Sequence, residues 1–431
     1  MYKIFAPFIL FYLLFNGTAI YAQAPVRDTF KLTLPQAEKI FVDSNLQLLA
    51  QHYNIDVQRA LILQARLWPN PNVSINQGPV IPIYDPSSQY PHSNFFYHSE
   101  LSAGISQLIL LAGKRNRQIR IAEANTTLAE NQFFDLLRTL KYTLRSDFFN
   151  IYYLQQSAQV YDAEIKALQK VVAAYDRQQG KGYISEKEVV LVKAQLISFQ
   201  SEYTGLMTQI MGLESELRLT VQARPDVYIS PVVDTAVVAQ LNPGKVPYST
   251  MLDSAYRKRT DLQIARTNTH INELQYKYQK ALAVPDLTLG ANYDKQGSYA
   301  NNFTSLSASI DLPLLNRNQG NIKSARFAID NTLALQKSAE KTVDENISNA
   351  LEIAYTNQGL YQTLDGKFAS DFVRLADAEL EAYQKRTVGL LDFLTFYDAF
   401  KQNVVQLNTI LYNRVQAFED LNYYTATNFF N

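Results

Sequence analysis

The feature that most constrains this chain is a stretch with nothing in it to stop a helix. Between Pro91 and Pro225 there is no proline, and between Gly113 and Gly180 there is no glycine. The segment therefore lacks both the ring that breaks a helical ladder and the residue that most readily leaves it. At 1.5 Å per residue such a helix is roughly 100 Å long. No core of ordinary size buries a rod of that length, yet its aliphatic and aromatic residues need cover. It has to pack along its length against other rods.

Gly180-Lys181-Gly182 interrupts the rod. The two glycines permit left-handed backbone, and Ser185-Glu186-Lys187-Glu188 reads as a capping box that starts a second helix running to Val221. The chain reverses there. A second copy follows: Pro313 is the last proline, a helical run extends from about Gly320 to Gln384, and a turn lies around Tyr383-Gln384-Lys385-Arg386-Thr387-Val388-Gly389. Glu188 falls opposite Asp392 and Ala122 opposite Ala325 at nearly the same offset. The pattern is a tandem repeat of long helical hairpins.

Each long hairpin is preceded by the same elements. Thr33–Leu67 has helical spacing and stops at Trp68-Pro69-Asn70-Pro71. Val73 and Ile75 then alternate with polar residues as in a strand, Gly78–Asn94 reads as a loop, and Leu101, Ala103, Ile105 and Gln107 alternate again. In the second half Tyr248–Ala283 is helical and Val284-Pro285 stops it. Leu287, Leu289, Ala291 and Tyr293 alternate, Gln296–Asn302 turns, and Leu306, Ala308, Ile310 and Leu312 alternate up to Pro313. The first copy is longer by about a dozen residues, in the Tyr84–Asn94 loop. Arg224–Val246, with Pro225, Pro231, Pro243 and Gly244, reads as an irregular linker. The expected division is a signal peptide over 1–22, a first repeat over 23–221, a linker over 222–247 and a second repeat over 248–431.

The start of the chain looks exported: Lys3, an apolar run Ile4–Phe15, and a cleavage point after Ala22. An uncleaved N-terminal anchor is the alternative. Without cysteine the chain forms no disulfide and carries no cysteine-linked lipid. A formal net charge of zero gives no broad basic surface for nucleic acid. Beyond the signal, no apolar run is long enough to cross a bilayer as a helix. Strands cross lipid only as a closed barrel, and four are too few, so several chains would have to pool theirs. Tyr84, Tyr90, Phe95, Phe96, Tyr97, Tyr299 and Phe303 near the strand ends suit interfacial girdles and help explain the 12% aromatic content. The competing expectation is a soluble helical protein with a small antiparallel sheet.

Helix, strand pair, very long helix, tight turn and long helix, given twice behind a signal, resemble the TolC family of outer-membrane efflux proteins over almost the whole mature chain. The local motifs are Leu67-Trp68-Pro69-Asn70-Pro71, matched by Ala283-Val284-Pro285-Asp286, the strand exit Ile310-Asp311-Leu312-Pro313-Leu314-Leu315, and the turns at Gly182-Tyr183-Ile184-Ser185 and Tyr383–Asp392. The resemblance implies a homotrimer, with four strands per chain in a twelve-stranded outer-membrane barrel and a periplasmic helical cylinder below. It implies a passive exit duct of a tripartite export system in a Gram-negative bacterium. The partners would be a periplasmic adaptor, an inner-membrane pump such as an RND transporter, and outer-membrane lipid. A periplasmic helical scaffold that never enters lipid is the alternative function.

The resemblance also points to a pore gate at the second hairpin turn. Asp392 matches the family's first gate acid when Tyr383 sets the register, with Thr395 where a second acid often stands. Asp398 is the candidate if Gly389 is the turn glycine. Three symmetry-related carboxylates in a narrow opening attract cations; a carboxylate that caps the helix N-terminus is the structural alternative for Asp392. Gly182, Tyr183, Ile184 and Ser185, with Thr387, Val388, Gly389 and Leu390, form small, apolar tips suited to adaptor docking or to packing between hairpins. Lys114, Arg115, Arg117 and Arg120, with Arg317, Lys323 and Arg326, are expected as a solvated belt below the membrane, the alternatives being contact with anionic headgroups or with carboxylates on neighbouring chains. His52, His92, His98 and His270 show no ligand spacing, and no P-loop, nucleotide fingerprint or nucleophile elbow occurs, so no metal site, cofactor or catalytic centre is expected.

Overall fold

The structure is a computed structural model that describes residues 28–78, 100–296, 300–364 and 368–431. The signal segment and the Tyr84–Asn94 loop, with His92 and with Tyr84 and Tyr90, lie outside the described residues, as do Phe95, Phe96, Tyr97, His98 and Tyr299. The elements are β1 (Thr29–Thr33), α1 (Leu34–Ser44), α2 (Leu46–Arg66), β2 (Asn72–Gly78), β3 (Glu100–Ile109), α3 (Lys114–Gln179), α4 (Glu186–Thr220), β4 (Tyr228–Val232) and α5 (Thr235–Ala239). After a 3-10 turn at Pro243–Lys245 come α6 (Tyr248–Lys258), α7 (Thr260–Leu282), β5 (Leu287–Gln296), β6 (Asn301–Ile310), α8 (Gln319–Thr363), α9 (Phe368–Gln384) and α10 (Leu390–Thr425). The long rod is real: α3 runs uninterrupted for 66 residues. The chain divides into two compact units, one holding Asp147–Val233 with the segment up to Phe41, the other Val42–Ser146 with Asp234–Asn431.

In the first unit the far part of α3 pairs with α4. Leu168 and Val171 are buried on one helix, and Val189, Val192, Phe199, Ile210 and Leu217 on the other, at the spacing that keeps one face apolar. Tyr161 sets its ring edge to face against Phe199 and donates to Glu202 at 2.8 Å. The segment expected to be an irregular linker contains β4, which pairs in parallel with β1, Phe30 opposite Ile229. Strand propensity at Tyr228-Ile229 is masked by the neighbouring prolines. Pro231 is tolerated because the two-stranded sheet offers it an edge position. Gln155 of α3 fixes the strand by donating to the Ile229 carbonyl at 2.9 Å.

In the second unit, Met251, Ala255, Leu262, Val343, Ile347, Ala354, Phe418 and Leu421 form a core between α6, α7, α8 and α10. Arg414 of α10 is buried and ties in the stretch after α5: it donates to Gln358 and to the carbonyls of Val238 and Leu241, at 2.8, 2.9 and 2.7 Å, and lies over the Tyr361 ring. A buried cation is tolerated when its donors are matched in this way. Arg145 of α3 meets Glu419 of α10 through two hydrogen bonds, one of 2.7 Å.

Three expected helices are divided. Thr33 belongs to β1, and Thr33–Leu67 breaks at Asn45, whose side chain accepts from Gln47 and Leu48 N–H at 3.0 and 3.1 Å and restarts the helix. Tyr248–Ala283 breaks at the corresponding place, Arg259, which has extended backbone. The run to Gln384 stops at Leu364, also extended, where the sequence continues Asp365-Gly366.

Asp147 of α3 is buried, and its Oδ2 has no hydrogen-bond partner. Burial, aided by Glu216, pushes its carboxyl up to about 7. The folded state thus holds a proton that the unfolded chain releases near pH 4. Stability falls as pH rises from about 4 to 7 and the penalty persists above that range. Asp147→Asn is expected to raise the thermal midpoint at pH 8 and to leave it unchanged near pH 3.5, measured by circular dichroism across that range.

Candidate functional site

The four alternating segments form one antiparallel sheet in the order β2-β3-β5-β6. Val73 lies opposite Ile105, Ile105 opposite Ala291, and Ala291 opposite Leu306. Because side chains alternate along each strand, this register gathers Val73, Ile75, Ala103, Leu289, Leu306 and Ile310 on one face. The other face carries Ser74, Asn76, Ser102, Ser106, Asn292, Ser305, Ser307 and Ser309. Gly104 and Gly290 keep that second face low: a Cβ on Gly104 would come 2.5 Å from Asn292 Oδ1, and one on Gly290 2.6 Å from Ser307 Oγ. Phe303 pairs with Asp294 and so belongs to the polar face rather than to a lipid-facing girdle.

Among the described residues nothing covers the apolar face. Val73 and Ile75 are 66% and 71% exposed, and Leu306 is 89% exposed. Each such side chain forgoes roughly 1.5–3 kcal/mol available from burial. Among the described residues no helix is long and apolar enough to cross a membrane.

Below the strands the cationic cluster is not a uniform solvated belt. Lys114 is buried, with Nζ 2.7 Å from both Asp286 Oδ1 and the Val284 carbonyl. The same carboxylate oxygen accepts from Leu111 N–H at 2.9 Å. Lys114 at the start of α3 thereby clamps the turn that links α7 to β5. Arg115 lies over the Trp68 ring at 4.4 Å, which gives the Trp-Pro-Asn-Pro motif a packing role. Arg117 reaches the Ala112 carbonyl and Arg326 pairs with Asp330, while Lys323 stands over Phe327.

The two long-hairpin turns share one backbone design. In the first, Gly182 N–H bonds the Gln179 carbonyl and Tyr183 N–H the Gln178 carbonyl, with Gly182 left-handed at φ 75°. In the second, Arg386 N–H bonds Tyr383 and Thr387 N–H bonds Ala382, with Arg386 left-handed at φ 60°. Both are Schellman endings. Gly180 needs no left-handed backbone, and Gly389, at φ −74°, is the N-cap of α10 rather than the turn glycine. Gly182 therefore corresponds to Arg386, Ser185 to Gly389 and Glu188 to Asp392, the third residue of each following helix. Ser185 and Glu188 form the full capping box, Ser185 N–H donating to Glu188 at 3.0 Å.

Tyr383 stacks on Phe393 at 4.1 Å, nearly parallel, and Phe393 packs on Tyr397. These rings turn Asp392 and Thr395 to the exposed side of α10. Asp398 is engaged with Lys401 at 3.0 Å and Gln402 at 2.8 Å. At the tips Tyr183 is 71% exposed, Ile184, Val388 and Leu390 are half-buried, and Thr387 Oγ1 donates to the Ala382 carbonyl. Leu391, the last residue of the apolar Thr387-Val388-Gly389-Leu390-Leu391 tip, is 75% exposed beside them at the second position of α10. His52 and His270 pair with Asp56 and Glu273 on their own helices, and no group of three or more potential metal ligands forms among the described residues.

The fold recurs in known structures. The chain superposes on the Campylobacter jejuni CmeC outer membrane channel with a TM-score of 0.72 over 91% of this chain and 85% of that one, at 14% identity. The Vibrio cholerae outer membrane protein VceC gives 0.70 over 92% and 96%, at 16% identity, and CusC gives 0.71 over 94% and 95%, at 14% identity. The chain has the fold of the outer-membrane efflux channels. By sequence it is 21% identical over 341 residues to the cobalt-zinc-cadmium resistance protein CzcC of Cupriavidus metallidurans, covering 78% of this chain and 74% of that protein. No family model matches the sequence.

Within this efflux-channel fold the two turns offer a direct comparison of left-handed backbone with and without a side chain. Gly182→Ala is expected to cost about 1 kcal/mol locally, and Arg386→Gly to gain on the order of 0.5 kcal/mol, because an L side chain there clashes with its own backbone. Hydrogen exchange of the turn amides should speed up in the first variant and slow down in the second.

Proposed function

We propose that this protein is the outer-membrane exit duct of a tripartite efflux system, a homotrimer that conducts passively while an inner-membrane pump of the RND type supplies the energy. The observation that carries this reading is the sheet: four strands in one register, apolar on one face, small and polar on the other, with both faces and both edges unoccupied among the described residues. Lipid suits the first face, a water-filled lumen the second, and neighbouring copies the edges. A periplasmic scaffold has no use for such a sheet. The fold shared with outer-membrane channels and the similarity to CzcC support the same function. The helical part is proposed to stand in the periplasm, with an adaptor docking on the tips at Gly182–Ser185 and Thr387–Leu390, to which Leu391 adds apolar surface.

In the proposed channel Asp392, repeated by threefold symmetry, lines the closed entrance, and Thr395 sits one turn further along. Asp398, already paired with Lys401, is the weaker candidate. An exposed carboxylate ring favours cations in a narrow opening, and Asp392 at the α10 N-terminus is compatible with a capping role as well.

The test is the mass of the detergent-purified protein with its conductance in a planar bilayer. A trimer that inserts and passes small, cation-selective currents is expected; a water-soluble species without channel activity overturns the duct and favours the scaffold. Asp392→Ala should lower the cation preference or enlarge the current. Recordings that match the wild type in both respects would remove Asp392 from the gate.

A further inference from the structure

The internal repeat specifies what each open sheet edge binds. Placing Pro69 on Pro285 brings Val73 onto Leu289, and placing Ala122 on Ala325 brings Ile105 onto Ala308. The chain pairs Val73 with Ile105 in its first hairpin and Leu289 with Ala308 in its second. The two hairpins thus share one register, residue for residue, although their connecting loops differ in length. The in-chain joint between them, β3 with β5, has no counterpart within a single copy, because β6 and β2 are the outer strands.

The same correspondence supplies the counterpart. Ile105 opposite Ala291 becomes Ala308 opposite Ile75, Ser106 opposite Gly290 becomes Ser309 opposite Ser74, and Gln107 opposite Leu289 becomes Ile310 opposite Val73. Nothing in this mapping was chosen to match faces, yet it sets apolar against apolar and serine against serine. A one-residue slip would turn Ile310 and Ala308 to the polar side.

The mapping also reaches the residues below the sheet. Lys114 corresponds to Arg317, Asp286 to Asn70 and Leu111 to Leu314. Inside the chain this joint is covered, with Lys114 only 4% exposed. The equivalent positions are bare: Leu314 is 70% exposed, its neighbour Leu315 94%, and Arg317 and Asn70 are both exposed.

We propose that β6 of one copy pairs antiparallel with β2 of a second copy, with Ser309 against Ser74 of the partner subunit and Ala308 against Ile75 of the partner subunit. Arg317 then donates to the side-chain oxygen of Asn70 of the partner subunit, where the in-chain joint has an ion pair. This pairing presupposes the trimeric channel proposed above and adds its register and its polar contact.

Because the chain has no cysteine, disulfide trapping reads the register directly. In one copy positions 74 and 309 lie on opposite edges of the sheet, separated by roughly 14 Å across it at about 4.8 Å per strand and offset along it by four residues as well, too far to bridge. Ser74→Cys with Ser309→Cys, and separately Ile75→Cys with Ala308→Cys, sample both kinds of opposed pair. At least one is expected to give covalent trimers on oxidation in membranes, while Ser74→Cys with Ser307→Cys gives far fewer. Conducting trimers that cross-link best through the 74/307 pair overturn the register and leave the channel standing; soluble monomers with no channel activity overturn both. In a second measurement Asn70→Asp, which copies the in-chain ion pair, should raise the temperature at which the detergent-solubilised trimer dissociates, and Arg317→Ala should cancel the gain. A dissociation temperature unchanged by Asn70→Asp overturns the Arg317 contact.

Discussion

A four-stranded sheet with two open edges and one bare apolar face is not a stable object in water, and the rest of this molecule makes sense around that instability. Edge strands expose unpaired N–H and C=O groups, and in lipid each such group is costlier still. Soluble proteins blunt their edges with charges or cover them. Here β2 presents Asn, Val, Ser and Ile, and β6 presents Ser, Leu and Ala, and among the described residues no helix is laid across either. The proposed closure with further copies inside a bilayer satisfies edges and faces together.

Membership of the proposed closed ring imposes a second demand, that the two halves of the chain be geometrically equivalent. The clamp from Lys114 to Asp286 shows how one half is seated on the other, by a lysine at the start of a helix that its dipole disfavours. Helix stability does not explain a cation there; a joint between repeats does. The bidentate contact of Arg145 with Glu419, and Tyr142 donating to Asp420 at 2.7 Å, perform a similar task further along α3 and α10. Polar contacts of this kind add orientation to an apolar interface that alone would tolerate sliding.

Much of this was legible in the sequence because periodicity and punctuation report backbone geometry. The uninterrupted α3, the alternation in four strands and the capping box at Ser185 follow from local chemistry, and so do the stops at Pro69 and Pro285. What was not legible depends on distant partners. β4 is a strand because β1 lies beside it, and Lys114 is buried because Asp286, far along the chain, meets it. Asn45 and Arg259 break helices whose apolar spacing continues unbroken through them. Arg386 adopts the left-handed conformation that its first-copy counterpart fills with glycine, so composition left Gly389 open as an alternative pivot beside the register that sets Glu188 opposite Asp392.

The polar face of the sheet bears on where such a duct would discriminate among solutes. Serine, asparagine, threonine and glycine dominate it, with Asp294 as an acid near the hairpin end of β5. Short uncharged side chains hydrate a lumen without binding what passes, since tight binding slows exit as much as it favours entry. Gly104 and Gly290 extend the logic, because replacing either would push a neighbouring polar side chain toward the open space. In the proposed duct the strands thus let cargo leave. On that proposal selection falls to a constriction elsewhere and to the partner that supplies the energy. The turn between α9 and α10, where stacked Tyr383 and Phe393 hold Asp392 outward on a strained backbone, has the chemistry for a constriction that a contact could shift.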